Sequence, residues 1–323
     1  MKPILYSSGD VAADRRADYA EMLFASGDHA AACELMTAIM ALAPGWATGW
    51  FRLGEMRHAA GEIALAIDAW REALRHDPAD RLGAAFKLEL AGAIENAGGI
   101  SSSFAEMLFD QYAGKFDAEL VQKLGYRVPE LIANALRATG RTSFAHALDL
   151  GCGTGLMGER LRAMTSFLEG GDLSENMLRK ARAKGVYDRL TRQDLLTFEP
   201  VRNTADLVTA ADVFLYVGRL ERVIAAAAAA LVLGGLFAFS VERHDGAGDL
   251  QLRESRRYAH APDYLRRLLV ENGFDLVVMD EAIIRRDRGA DIAGLIVLAG
   301  RPALAIRSGE TRAEVSLPEI HPH

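Results

Sequence analysis

The chain has 323 residues, which is enough for two domains with a sizeable hydrophobic core. Its formal net charge of -7 disfavours non-specific nucleic-acid binding, and its two cysteines, Cys33 and Cys152, are too few and too far apart for a disulfide framework. The longest apolar run, 223–241, is rich in alanine and is interrupted by two glycines, so it predicts a helix, a turn and a strand instead of a membrane span. Because no signal peptide is evident either, we expect a cytoplasmic protein that binds neither nucleic acid nor membranes.

The first eighty residues contain a repeat with a period of 34, which superposes Gly27 on Gly61. The two copies span 13–46 and 47–80, and the second is the clearer one. Its residues follow the spacing of a tetratricopeptide repeat: Trp50, Leu53, Gly54, Gly61, Ala66, Trp70, Ala73 and Pro78. A small residue where two helices cross lets their backbones approach, and a proline ends the second helix. This pattern predicts two stacked helix pairs.

Residues 1–96 are therefore predicted to form an all-α domain that resembles tetratricopeptide repeats, closed by a capping helix after Asp80. Stacked helix pairs often present a concave surface to a partner peptide, which would make the domain a binding module for another protein. Alternatively, two repeats and a cap only pack against the next domain or form a dimer. Residues 97–142 are predicted to be a linker with lid helices that cover the next domain.

From residue 143 to residue 303, short β-rich runs alternate with helical segments, which is typical of βαβ units. Seven strands are predicted, at 146–150, 167–171, 189–193, 205–210, 236–241, 274–284 and 294–300. The last two follow each other through a short connection and predict an antiparallel hairpin at the edge of the sheet. The predicted fold is therefore α/β, with a doubly wound, mostly parallel, seven-stranded Rossmann-like sheet behind an all-α domain. We expect the tail 304–323 to be disordered, and we predict no metal site.

Three glycines, Gly151, Gly153 and Gly155, directly follow the first predicted strand. A strand that turns into a helix through such glycines lets a ligand approach bare backbone at the carboxyl edge of the sheet. A dinucleotide site would need a sixth-position glycine, where this chain has Leu156. Asp149, inside the strand, is a poor neighbour for pyrophosphate and a good one for a cation. S-adenosylmethionine carries an ammonium and a sulfonium group, so it suits this loop.

Two further carboxylates follow the second and third predicted strands. Asp172 lies where an acid can accept both hydroxyl protons of an adenosine ribose, and Asp194 lies where it can accept from the adenine amino group, with the backbone of Leu195 at the ring edge. Leu173 and Ala211, at the ends of the second and fourth strands, complete the predicted cofactor site. Alternatively, Asp172 caps the next helix and Asp194 is a turn residue.

At this point the chain resembles the class I S-adenosylmethionine-dependent methyltransferases, and more narrowly the bacterial group of predicted methyltransferases that carry N-terminal tetratricopeptide repeats. The resemblance covers most of the chain and rests on the paired repeats and on the segments at 104–132, 148–155, 170–178, 207–218 and 256–260. The segment FDQYAGKFD is the most specific sign of this resemblance. By this likeness, Tyr112 and Lys115 face the methionine part of the cofactor from a lid helix. The same segment also fits an amphipathic helix with a core stripe.

The resemblance implies methyl transfer by in-line displacement, for which alignment alone lowers the barrier by about 7–11 kcal/mol. No Asn-Pro-Pro motif follows the fourth strand, which disfavours methylation of bases or amides. For a hydroxyl acceptor, a general base would help. The candidates are His244, Tyr258 and His260, with a solvated loop as the alternative for His244. Asp212, just after the fourth strand, is a further candidate for the wall of the site.

Arginines cluster in the last third of the chain, and their forked side chains suit carboxylates or phosphates. They are Arg253, Arg256, Arg257, Arg285, Arg286 and Arg288. We therefore predict a methyltransferase acting on a small-molecule acceptor that is anionic, unless these arginines only balance an acidic surface. The alternatives are a protein methyltransferase whose repeats recruit the substrate, and a non-catalytic adaptor with a methyltransferase-like domain.

Overall fold

The computed structural model describes residues 7–95, 98–112, 117 and 124–303. Lys115 and the predicted tail, 304–323, lie outside these residues. The N-terminal part consists of helices α1 (Val11–Ala25), α2 (His29–Leu42), α3 (Ala47–Ala59), α4 (Ile63–His76) and α5 (Ala84–Leu90). Two more helices, α6 (Ser102–Tyr112) and α7 (Val128–Ala138), lead to the sheet. In the described residues, no helix is long and apolar enough to cross a membrane.

The first four helices form two pairs with the same turn geometry, 34 residues apart. Helices α1 and α3 each end before a glycine in the left-handed region, Gly27 with φ +89° and Gly61 with φ +82°. The residue after each glycine donates its N–H to the carbonyl five residues back, at 3.0 and 2.9 Å, as in a Schellman motif. The repeat in the sequence is therefore a repeat in the structure.

A glycine and a tryptophan set the distance between α3 and α4. Gly54 faces the indole of the buried Trp70, and a Cβ at Gly54 would lie 2.4 Å from Trp70 Nε1. Only a residue without a side chain lets the two helices approach so closely. The second pair then packs against α5, whose buried Ala84 and Leu88 join the same cluster.

One sheet forms the second half of the chain. Its strands are β1 (Phe144–Leu150), β2 (Thr165–Asp172), β3 (Arg189–Arg192), β4 (Ala205–Ala210), β5 (Leu231–Arg243), β6 (Leu250–Leu252), β7 (Tyr258–His260), β8 (Asp275–Asp287) and β9 (Ala290–Gly300). The helices between them are α8 (Leu156–Leu161), α9 (Glu175–Lys184), α10 (Glu221–Ala230) and α11 (Pro262–Glu271). Strands β3, β2, β1, β4 and β5 are parallel and adjacent in that order, β9 runs antiparallel beside β5, and β8 pairs with β9. The carboxyl ends of the parallel strands therefore share one edge.

Within the described residues the sheet has nine strands, so the predicted number of seven is wrong. The seven predicted strands are present, and the two missed ones, β6 and β7, have three residues each. Where β4 ends, β7 takes its place beside β5 and pairs Ala259 with Glu242. Strand β6 then pairs with β7 as a hairpin. Such short strands carry no alternation that a sequence could reveal.

The sheet is buried on both faces, as its apolar strands require. Along β5, Phe237 and Phe239 pack in the core cluster under α10 and α11, whereas Leu236 and Ala238 pack in the cluster under α7 and α8. Helix α7 therefore belongs to the covering layer of the sheet. Of the segment predicted as linker and lid, 97–142, it is α6 that lies over the carboxyl edge of the strands, since its residues line the cavity described below.

We expect Gly54→Ala to destabilise the protein although alanine is favoured over glycine in a helix by about 1 kcal/mol. The new methyl group would overlap Trp70, and overpacking costs about 1–3 kcal/mol, so the melting temperature should fall. Gly45→Ala is the control, because a Cβ at Gly45 meets nothing within 4 Å. Thermal unfolding followed by circular dichroism would measure both. An unchanged melting temperature for Gly54→Ala would contradict the packing described here.

Candidate functional site

The glycine turn after β1 has one closed position and one open position. Gly151 has φ +64°, and a Cβ there would lie 2.4 Å from Val213 Cγ2. Gly153 has φ +55°, and a Cβ there would meet nothing within 4 Å. Both glycines line the large cavity at the carboxyl edge of the sheet. The turn therefore packs tightly on one side and presents bare backbone to open space on the other.

Asp172, the last residue of β2, is bound to this turn. Its Oδ2 accepts the N–H of Gly153 at 2.9 Å, and its Oδ1 accepts the N–H of Ser174 at 2.9 Å. Burial raises the pKa of Asp172 to about 6, although these amide hydrogen bonds lower it, and the carboxylate of Asp110 raises it further. The side chain lines the cavity beside the open glycine. A carboxylate at this place can accept hydroxyl protons from a ligand.

A smaller pocket of about 70 Å³ adjoins the cavity, with Gly151 and Asp172 in its lining. It also contains three residues of the predicted cofactor site, Leu173, Asp194 and Leu195. Asp194 accepts the hydroxyl of Ser102 at 2.5 Å and the N–H of Leu196 at 2.8 Å. The Ser102 contact ties the start of α6 to the end of β3, so α6 forms part of this pocket.

The main cavity has a volume of about 520 Å³. The residues that line it are Ile100, Phe104, Leu108, Phe109, Leu124, Tyr126, Gly151, Cys152, Gly153, Thr154, Leu156, Met157, Asp172, Met177, Ala211, Asp212, Val213, Tyr216, Glu254, Ser255, Arg256, Arg257 and Arg288. Its apolar wall comes largely from α6. Its polar side comes from the ends of β1, β2 and β4 and from the two hairpins at the other end of the sheet. The cavity therefore joins the glycine turn to a cationic surface.

A buried ion cluster holds the end of β4. Arg285 of β8 is fully buried and pairs with Asp212 at 2.7 Å and with Glu242 of β5. Arg253 pairs with the other oxygen of Glu242 at 2.8 Å. Asp212 has φ +56°, and its N–H donates to Ser240 Oγ at 2.9 Å. These contacts fix a carboxylate on the cavity wall in an unusual backbone conformation.

Two tyrosines stand close to this cluster in the cavity lining, Tyr126 and Tyr216. Burial raises the pKa of both, and the carboxylate of Asp212 raises it further. Both phenols therefore stay protonated at neutral pH. Each can donate a hydrogen bond to a ligand but is a poor general base.

Of the predicted cofactor residues, Gly151, Gly153, Asp172 and Ala211 line the cavity. Leu173, Asp194 and Leu195 line the adjoining pocket. Gly155 is outside both linings and serves as the left-handed start of α8, with φ +92°. Tyr112 ends α6, and its side chain lies outside the described part of the structure.

Asp149 lines neither the cavity nor the adjoining pocket, and its place in the cofactor site stays a prediction. It is buried, accepting the hydroxyls of Tyr187 and Thr209 at 2.7 Å each, and burial raises its pKa to about 6. As an interior residue of β1, it points into the packing between strands and helices. Its contacts with two other elements are structural.

The three predicted base candidates do not line the cavity either, and their catalytic role stays a prediction. His244 is buried, with Nε2 3.1 Å from the carbonyl of Ala247. Tyr258 donates to Glu89 of α5 at 2.8 Å. His260 is fully buried against the carbonyls of Val217 and Gly218, and burial lowers its pKa to about 4. The strand geometry of β7, which the sequence did not reveal, turns Tyr258 and His260 into the packing.

The arginine cluster separates into two groups. Arg256, Arg257 and Arg288 line the cavity. Arg253 and Arg285 belong to the buried ion cluster, and the sixth, Arg286, pairs with Asp291 on the surface at 3.1 Å. Sequence reasoning placed the arginines near the site but could not separate the groups. It also missed Tyr126, Tyr216 and Ser255, for which no motif gave a signal.

Comparison with known proteins gives a family match within the sheet region of the chain. Residues 147–235 match the family model described as a methyltransferase domain. This segment of the chain is similar to methyltransferase domains. The matched segment runs from β1 into β5 and contains the glycine turn, Asp172 and Asp194. No curated protein matches the chain significantly.

Several solved methyltransferase structures are similar in fold. An S-adenosylmethionine-dependent methyltransferase from Mesorhizobium loti has 24% identity, covers 51% of this chain and 95% of its own, and has a TM-score of 0.43. Magnesium protoporphyrin IX methyltransferase from Synechocystis, with bound SAH, has 21% identity and a TM-score of 0.43. The match covers 54% of this chain and 81% of the Synechocystis chain. An S-adenosylmethionine-dependent methyltransferase from Clostridium acetobutylicum has 19% identity and a TM-score of 0.46. The match covers 61% of this chain and 100% of the Clostridium chain.

We expect alanine to be tolerated better at Gly153 than at Gly151. Both positions have positive φ, which costs a residue with a side chain about 1–2 kcal/mol. At Gly151 the methyl group would also overlap Val213, and such overpacking costs about 1–3 kcal/mol more. Urea unfolding of the two variants would measure the difference. Equal losses of stability would contradict the assignment of the closed and open faces of the turn.

Proposed function

We propose that this chain transfers a methyl group from S-adenosylmethionine to a small, anionic acceptor held in the 520 Å³ cavity. S-adenosylmethionine is the cofactor of the methyltransferase domain. The observation that carries the proposal is the open glycine turn: Gly153 has nothing within 4 Å of a would-be Cβ, and its amide is bound to Asp172. The volume lies within the range of about 300–1,000 Å³ that is usual for small-molecule sites.

The described residues fit this cofactor. Asp172 would accept the ribose hydroxyls, the smaller pocket with Asp194 and Leu195 would hold the adenine, and the turn at Gly153 with Ala211 would take the methionine part. The bound cofactor supplies a methyl group on a positively charged sulfur. The glycine-turn backbone and the carboxyl ends of the strands provide a rigid frame for it.

The protein's contribution to catalysis is alignment and exclusion of water. The α6 wall, with Phe104, Leu108 and Phe109, gives one side of the cavity an apolar surface. The protonated phenols of Tyr126 and Tyr216 provide hydrogen-bond donors in the same lining. Holding two reactants in line lowers a barrier by about 7–11 kcal/mol, so proximity is the main catalytic term. Without His244, Tyr258 and His260 in the lining, a dedicated base is not part of this proposal.

The helix pairs of the N-terminal part are proposed as tetratricopeptide repeats, because the residue spacing and the turns repeat every 34 residues. Their contacts favour a structural role over recruitment of a protein substrate. Tyr258 is bound to Glu89 of α5, and Ser101 before α6 donates to the carbonyl of Asp80 at 2.8 Å. Both cysteines are free and buried, which fits the cytoplasm as the proposed location.

A titration of the full chain with S-adenosylmethionine by isothermal calorimetry tests the proposal. We expect binding by the wild type and a loss of about 1.5–3 kcal/mol for Asp172→Asn, since a charged hydrogen-bond acceptor is removed. Asp263→Asn is the control, because Asp263 lies exposed on α11 and should not affect binding. An absence of binding by the wild type would refute the cofactor and favour the non-catalytic adaptor. Capture of a stable protein partner by the helix pairs would favour the protein methyltransferase.

The affinity for S-adenosylmethionine should rise with pH. Asp172 has a pKa of about 6, and only its ionised form accepts both ribose hydroxyls. Between pH 7 and pH 5 the ionised fraction falls about tenfold, so the dissociation constant should rise about tenfold at pH 5. Asp172→Asn should remove most of this dependence. A wild-type affinity that does not change between pH 5 and pH 7 would show that Asp172 does not contact the cofactor.

A further inference from the structure

Two hairpin turns meet at the cavity. One is the loop 254–256 between β6 and β7, and the other is the pair Arg288–Gly289 between β8 and β9. Each turn contributes an arginine to the cavity lining, Arg256 and Arg288. An ion pair between their direct neighbours, Arg257 Nη1 and Asp287 Oδ2 at 2.9 Å, joins the two hairpins. The two turn tips are therefore held side by side.

Both arginines have a positive φ, a backbone conformation in which a residue with a side chain is disfavoured. Arg288 has φ +48° and is followed by Gly289 with φ +84°, as in a two-residue type I′ turn, whose first position prefers asparagine, aspartate or glycine. Arg256 has φ +63° at the end of a three-residue loop, where glycine is usual. Two turns at one cavity therefore both have an arginine at a position where its positive φ costs conformational energy. Backbone strain of this kind concentrates at functional sites.

The two guanidinium groups also lack the ion pairs that the rest of the arginine cluster has. No carboxylate of the described residues pairs with Arg256 or Arg288, whereas Arg257 is paired with Asp287. The guanidinium of Arg256 instead lies over the ring of Phe104 in α6, 5.9 Å from the ring centre. Glu254, on the same loop, is exposed. The turn tips therefore place two guanidinium groups in the cavity lining, which also contains the carboxylates of Asp172, Asp212 and Glu254.

Ser255 adds a hydrogen-bonding group to the same lining. Its Oγ is buried and has no hydrogen-bond partner among the described residues. The residue lines the same cavity and precedes Arg256 directly. A buried hydroxyl without a partner is costly, and a ligand oxygen would satisfy it.

We propose that Ser255, Arg256 and Arg288 form an anion subsite that binds a carboxylate or phosphoryl group of the acceptor. Arginine forks and a hydroxyl match the oxygens of either group. The subsite rests on the proposed function, because it anchors the acceptor at the end of the cavity formed by the hairpins, while Asp172 and the glycine turn belong to the cofactor. It explains why arginine is kept at two turn positions that favour asparagine or glycine.

The test is calorimetric titration of the full chain, saturated with S-adenosylhomocysteine, with inorganic phosphate and with malonate at constant ionic strength. We expect wild-type binding of one or both anions, and the stronger one identifies the acceptor group as phosphoryl or carboxylate. Arg256→Gln and Arg288→Gln should each weaken binding at least tenfold. Arg286→Gln is the matched control, since Arg286 lies on the same hairpin but is paired with Asp291 and does not line the cavity, and should leave binding unchanged.

A second pair of variants separates binding from folding. Arg288→Asn creates the preferred Asn-Gly turn, so it should raise the melting temperature while abolishing anion binding. Arg288→Lys keeps the charge and the strain, so it should retain part of the binding with no gain in melting temperature. Wild-type binding of neither anion, or equal binding by the Gln variants, would overturn the subsite. Failure to bind S-adenosylhomocysteine would instead refute the cofactor, and titration of the chain alone would still test the subsite.

Discussion

The hydrogen bond between the Gly153 amide and the Asp172 carboxylate is the contact on which the site depends. It joins the turn after β1 to the end of β2, so two neighbouring strands present their ends to the same ligand. The bond requires glycine backbone on one side, because Gly153 has positive φ, and a buried carboxylate on the other. Burial that raises the pKa of Asp172 to about 6 also leaves this group ready to gain hydrogen bonds from a ligand's hydroxyls.

The remaining walls of the cavity come from parts of the chain that are remote in sequence. Helix α6 is fixed at its start by Ser102 to Asp194, and Phe104 packs with Phe86 of α5 in one apolar cluster. The Tyr258–Glu89 hydrogen bond fixes the hairpin of β6 and β7 to the helix pairs. The N-terminal helices therefore support both the cover over the cofactor pocket and the cationic hairpin. We consider this support, more than recruitment of a partner, the reason for their presence.

The sequence predicted the long strands, the repeat and the glycine turn at the edge of the sheet, because these depend on local patterns: apolar runs, a 34-residue period and glycines after a strand. It could not predict what depends on three-residue strands or on side-chain direction. Strand β7 turns Tyr258 and His260 away from the cavity, and β1 turns Asp149 inward. Likewise, only the folded chain shows that Arg285 neutralises buried carboxylates while Arg288, three residues later, lines the cavity. Burial and pairing, not residue type, separate these roles.

A crystal structure of the full chain with S-adenosylhomocysteine would test the central claim most directly. The account predicts both ribose hydroxyls within hydrogen-bonding distance of Asp172, the adenine beside Asp194 and Leu195, and the Gly153–Asp172 bond intact. The sulfur should point into the 520 Å³ cavity, toward the hairpin arginines. A ligand bound elsewhere, or a ribose that makes no contact with Asp172, would contradict it.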